Sequence, residues 1–193
     1  MKVKVWILSV ICVSVLSGCG YIPHDVTIKP ELPVTPSQIG QGKTLRVFVE
    51  DDRDKQLIGT RSYMKSGPIS IDKKQELARD IQQSLSGGFQ KMGFLIVNSG
   101  KADRETLVDI RLVEYESAFG FFTMGIFTRG TFKLTCMTPS GKRFENLYRV
   151  EHEHRTLFFP FAVTNRRWIN EAVSDALMRI FEDKSFMAFL KDG

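Results

Sequence analysis

His152 and His154 are the first residues whose type and spacing point to chemistry. They stand two apart in a run, Phe144 to Arg155, that reads as a strand. Strand side chains alternate between faces, so the two imidazoles share one face and Glu151 and Glu153 take the other. Two imidazoles on one face begin a zinc site, which needs at least three protein ligands. The remaining histidine, His24, lies far upstream, and no carboxylate stands at a diagnostic spacing. The pair is a weak metal candidate, weighed against a polar strand face or a pH sensor. A second group, Glu50-Asp51-Asp52-Arg53-Asp54, has the closely spaced carboxylates that suit a hard cation, but not the glycine-centred pattern of a calcium loop. A solvated loop is expected there. Neither a Gly-x-Ser-x-Gly elbow nor a glycine-rich phosphate loop appears. The expectation is a protein that is not an enzyme and carries no cofactor.

A different thiol chemistry is written at the other end of the chain. Lys2 and Lys4 precede Val5–Leu16, an apolar run interrupted by Ser9, Cys12 and Ser14, and Leu16-Ser17-Gly18-Cys19 closes it. The run suits the apolar core of a signal peptide and is shorter than the roughly 20 residues of a spanning helix. Leu-Ser-Gly-Cys resembles the bacterial lipoprotein lipobox. The resemblance implies cleavage before Cys19, a diacylglycerol thioether on its sulfur and a fatty acyl group, such as palmitate, on its new amino group. One chain binds membranes only marginally, at roughly 10⁴ M⁻¹, whereas two or three on one residue anchor stably. No Asp follows Cys19 to act as an inner-membrane retention signal. The resemblance therefore implies an outer-membrane anchor with the domain on the periplasmic face.

The 193 residues carry a formal charge of +5, and loss of the two lysines of residues 1–18, which contain no acidic residue, leaves +3. That balance lacks the concentrated basic stripe of a nucleic-acid protein, and no nucleic-acid partner is expected. With Cys12 removed and Cys19 acylated, Cys136 is the remaining thiol, expected to be buried in a strand. Three segments are expected: 1–18 signal peptide; 19–43 lipidated cysteine and tether, with Pro23, Pro30, Pro33 and Pro36; and 44–193 one folded domain.

The elements that must position these residues follow from periodicity. Leu45-Arg46-Val47-Phe48-Val49 alternates as a strand, and Gln56–Thr60 and Tyr63–Ser70 read as further extended pieces. Leu77, Ile81, Leu85, Phe89 and Met92 form a helical stripe that opens near Asp72 and ends at Gly93. Phe94–Val97, Thr106–Ser117, Gly130–Met137 and Phe144–Arg155 read as strands. Thr164 or Asn165 is expected to cap a second helix carrying Ile169, Val173, Leu177 and Ile180, and Ser185 a short last one. The predicted fold is a single α+β domain: a mainly antiparallel sheet with two long helices packed on one face, plus a short C-terminal helix.

Two connections are rich in aromatic residues. One holds Phe119, Phe121, Phe122, Met124, Ile126 and Phe127; the other holds Leu157, Phe158, Phe159 and Phe161. If both lie at one end of the sheet, they form an exposed apolar patch of the kind that marks protein or lipid contact; the competing reading is that they fill the core.

Over nearly all of its mature length the chain resembles the YajG-like family of bacterial lipoproteins. The matching stretches are the lipobox at Cys19, Val47-Phe48-Val49-Glu50-Asp51-Asp52-Arg53, Met92-Gly93-Phe94, and a closing part with Ile169, Ala172, Val173, Leu177, Ile180 and Phe189-Leu190-Lys191. The resemblance implies a membrane-tethered domain and carries no catalytic signature. The expected function is a non-enzymatic binding or accessory module for an envelope protein partner. The alternative is an accessory that binds lipid or another hydrophobic ligand for an envelope transport system.

Overall fold

The computed structural model describes residues 24–61, 67–71, 74–157 and 160–192. Among the described residues the strands are β1 (His24–Val26), β2 (Thr44–Asp51), β3 (Leu57–Thr60), β4 (Pro68–Ile71), β5 (Leu95–Ile96), β6 (Arg104–Phe119), β7 (Met124–Met137) and β8 (Arg143–Thr156). The helices are α1 (Lys74–Lys91), α2 (Ala162–Glu182) and α3 (Lys184–Asp192).

The strands make one eight-stranded sheet whose spine is β6. One edge of β6 pairs along its whole length with β7, antiparallel, and β7 pairs likewise with β8. The other edge is shared. Its first half, Arg104–Ile110, pairs parallel with β2, and Tyr115 farther on pairs parallel with Gly59 of β3. A bulge between Ile110 and Leu112 separates the two halves and leaves Arg111 out of the ladder. The sheet is therefore mixed, not mainly antiparallel as predicted: β1–β4, β2–β5, β2–β6 and β3–β6 are parallel pairings. Alternation reveals which side of a strand is buried, but it carries no information about the direction of the neighbour.

The long helices also differ from the expected packed pair. α1 lies on β2 and β5, whereas α2 lies on β7 and β8. They meet where Phe181 of α2 packs on Phe89, with centroids 4.9 Å apart, over Gly88. A Cβ on Gly88 would come within 2.5 Å of the Phe181 ring, which is why residue 88 is glycine, whereas a Cβ on Gly87 would meet open space. α1 ends as a Schellman motif: Gly93 N–H donates to Gln90 O, Phe94 N–H donates to Phe89 O, and Gly93 has φ +85°. Neither predicted helix cap holds. α2 starts after Phe161 with no side-chain cap, and Asp183, not Ser185, accepts the first N–H groups of α3.

The proline-rich segment is docked from residue 24 onward and is no free tether there. Val26, Ile28 and Val34 are buried. Lys29 N–H donates to Asn170 Oδ1 (2.7 Å) and Glu31 N–H to Ser174 Oγ (3.1 Å), both on α2. Proline forbids a regular ladder, but an extended segment still buries alternate apolar side chains, and α2 supplies acceptors for the remaining N–H groups.

Candidate functional site

β6 rises from Arg104 to Phe119, and the chain turns back through Gly120–Thr123 into β7. Gly120 N–H donates to Thr123 O (2.7 Å) and closes the turn. The two residues at the tip have no neighbouring strand to cover them. Phe121 is 93% and Phe122 80% exposed, and their rings meet edge to face at 4.5 Å. Phe119, paired with Met124, is half exposed. On the far side of β7, Met124 pairs with Thr156, which brings Leu157 (70% exposed) beside the turn. A shallow depression of about 600 Å³ is lined by Phe119, Phe121, Phe122, Met124 and Leu157. Phe161, just before α2, is 81% exposed. The two aromatic segments thus reach the same end of the sheet.

The predicted contact residues divide. Phe119, Phe121, Phe122 and Phe161 are at the surface of that end. Met124 is buried and supports the turn from below, so it is corrected to a core residue. Phe127 belongs to β7, half-buried, with the Arg129 guanidinium 5.9 Å from its ring. Its position is on the ladder and not in a connection, because β7 begins at Met124, six residues earlier than the periodicity implied. Phe158, Phe159 and Cys19 lie outside the described residues.

The histidine pair sits in the seam between β8 and α2. His152 Nε2 is 2.9 Å from Asp175 Oδ2, and His154 stacks on Trp168 with centroids 4.3 Å apart. Burial holds the His154 pKa below its ordinary value. His24 is in β1, several strands away. Among the described residues no group of three or more His, Cys, Asp or Glu side chains is placed to hold a metal ion.

The acidic run is internally paired and not simply solvated. Asp51 accepts two bonds from the Arg53 guanidinium (2.8 and 2.7 Å) and one from its backbone N–H (3.2 Å), and both side chains are nearly buried. Asp52 meets Arg111 at 2.9 Å. They stand where β2 ends, and beyond that point the same edge of β6 pairs with β3. Ser70 and Lys73 stand at a Ser-x-x-Lys spacing. Ser70 belongs to β4, and its hydroxyl donates to Asp25 (2.8 Å). Cys136 is buried against Thr106 Oγ1 (3.3 Å), and burial pushes its thiol up to about 11.

A groove of about 990 Å³ runs between residues 27–33 and α2. Lys29, Glu31, Arg166, Arg167, Glu171 and Asp175 line it together with Leu32 and Met178. Its charged lining is unlike that of a fatty-acid tunnel. Among the described residues no helix is long and apolar enough to cross a membrane.

The open face of the sheet is laced with ion pairs. Arg129 reaches Glu151 (2.7 Å), Glu114 (2.8 Å) and Glu116 (3.0 Å), and Lys133 meets Glu145 at 2.8 Å. Such a lattice keeps an uncovered strand face soluble. The aromatic end is therefore the candidate site for a contact driven by apolar burial.

No curated protein matches the chain. Among solved structures, a Xanthomonas campestris protein of family DUF330 shares the fold, with TM-score 0.54 and 12% identity over 88% of this chain and 96% of that one. A neuraminyllactose-binding hemagglutinin homolog from Helicobacter pylori aligns at TM-score 0.46 and 10% identity, over 86% and 96% of the two chains. A minor lipoprotein from Acinetobacter baumannii aligns at 0.45 and 9%, over 77% and 95%. A family model matches residues 30–191, and the chain belongs to that family, Lipoprotein_16, the YajG-like uncharacterized lipoproteins.

Proposed function

We propose that the protein is a non-enzymatic accessory lipoprotein of the bacterial outer membrane. A signal peptide directs it across the inner membrane, Cys19 carries the lipid, and the periplasmic domain works by contact in the service of an envelope protein partner. The aromatic end of the sheet is its principal contact surface. The observation that carries this reading is the convergence of Phe119, Phe121, Phe122, Leu157 and Phe161 at one end, exposed, whereas Phe89, Phe94, Phe132 and Phe186 are buried. Exposed apolar side chains grouped in this way mark an interaction site.

A photo-crosslinking side chain at position 122, introduced in the full chain in intact cells, tests the reading. The expected result is an adduct with an envelope component, protein or lipid, at higher yield than from position 147 on the open strand face. Equal, background yields at both positions would overturn it.

A further inference from the structure

We infer, building on the reading of the aromatic end as the contact surface, that its occupant is the bilayer that holds the anchor. Phe119, Phe121, Phe122, Leu157 and Phe161 would lie at head-group depth, and the sheet would stand on end from the membrane.

Strand directions carry the inference. Along β6 the aromatic turn is the end that follows Tyr115. β3 runs parallel to β6, with Gly59 beside Tyr115. β4 runs antiparallel to β3, with Pro68 opposite Thr60. β1 runs parallel to β4, with His24 beside Ile69. The chain therefore enters the domain at His24 level with Tyr115, and the residues before His24 arrive from the aromatic end. Arg61, which follows β3, is close enough to bear on both His24 and Tyr115.

Chain length then limits where the anchor lies. Cys19 and His24 are five residues apart, so their Cα atoms are at most roughly 18 Å apart in any conformation. β6, with 16 residues, is roughly 50 Å long. A lipid on Cys19 cannot reach past the far end of the sheet, but it reaches the aromatic end readily. The docking of residues 24–43, by β1 on β4, by Lys29 and Glu31 on α2 and by Ser37 and Gly40 on the end of α1, removes the long tether that would have relaxed this limit.

The composition of the end suits a lipid surface. A hairpin tip with two fully presented phenylalanines is convex, and a fluid phase needs no matching pocket to receive it. Arg166 is exposed at the rim, where anionic head groups favour cations, beside exposed Arg155 and Arg167, which pair with Glu153 and Glu171. The nearby Glu153 and Glu116 are paired with Arg155 and Arg129. With the anchor already inserted, the tip meets the bilayer at high effective concentration, so a modest partition suffices to fix orientation.

Depth measurement on the lipidated full-length mature protein tests this. An environment-sensitive fluorophore is attached to F122C or, as control, to L147C, and each protein is reconstituted into phosphatidylethanolamine–phosphatidylglycerol vesicles with and without brominated acyl chains. Buried Cys136 stays unlabelled near neutral pH. The expected result is quenching at 122 several-fold stronger than at 147, lost when F119S, F121S and L157S are added. Equal, solvent-like signals at both positions would overturn the inference. If the position-122 crosslinker then captured a specific protein in cells, the reading of the aromatic end as a contact surface would stand with a protein occupant. If it captured nothing above position 147, that reading would fail as well.

Discussion

The two ends of the sheet use the same residue type in opposite ways. At the end where β6 starts and β8 begins, Phe144 packs on Phe186 and Phe189 of α3, at centroid distances of 5.2 and 5.7 Å, and Phe186 is fully buried. Asp183 locks that lid. It accepts bonds from the Tyr148 hydroxyl (2.7 Å), Asn146 Nδ2 (2.9 Å) and the N–H groups of Ser185 and Phe186. At the opposite end no element among the described residues covers Phe121, Phe122 or Phe161. A chain that can close one end with a nine-residue helix and a single carboxylate has a cheap way to close an end. That the other end is left apolar and open among the described residues is the physical case for contact there.

The largest expected effect comes from opening the closed end. F186A removes a fully buried ring and should cost about 3–5 kcal/mol, read as a lowered midpoint in urea with unchanged slope. A loss below about 1 kcal/mol would mean that α3 is not a lid. D183A should cost about 2 kcal/mol, through the lost α3 cap and the unpaired Tyr148 and Asn146 groups. Burial opposes ionisation of Asp183, but its donors outweigh this and hold its pKa below the ordinary value. Its contribution is therefore full above the unfolded pKa and lost in strong acid, and D183N should flatten that loss in an acid titration.

A smaller, pH-dependent effect belongs to the β8–α2 seam between the ends. Burial lowers the His154 pKa, so the unfolded chain binds the proton more readily. Stability should be full above pH 6.5 and decline as pH falls below it, and H154Q should reduce that decline in melting scans from about pH 7.5 to about pH 5. The smallest effect is expected at the open end. F121S with F122S should change stability by no more than about 0.5 kcal/mol, since neither ring is packed inside. A fall as large as that of F186A would erase the difference between the two ends.

Particular residues show how much of this was legible in advance. The α1 stripe from Leu77 to Met92 and the α2 stripe from Ile169 to Ile180 are both buried where periodicity put them. Gly93 ends α1 because a left-handed residue is needed there. Both aromatic connections were visible as composition. The parallel neighbours of β6 were not, because its pairings with β2 and β3, on either side of the bulge at Arg111, join segments far apart in sequence.

Local order in the chain was thus enough to determine the buried faces of the helices and the places where the backbone must turn, since those depend on side chains a few residues apart. Tertiary structure alone decided which phenylalanines stay dry, that the proline-rich segment lies on α2, and that His24 enters from the aromatic end. Each of these is a relation between segments far apart in sequence, fixed by strand direction and by which surface remains uncovered once the core has closed.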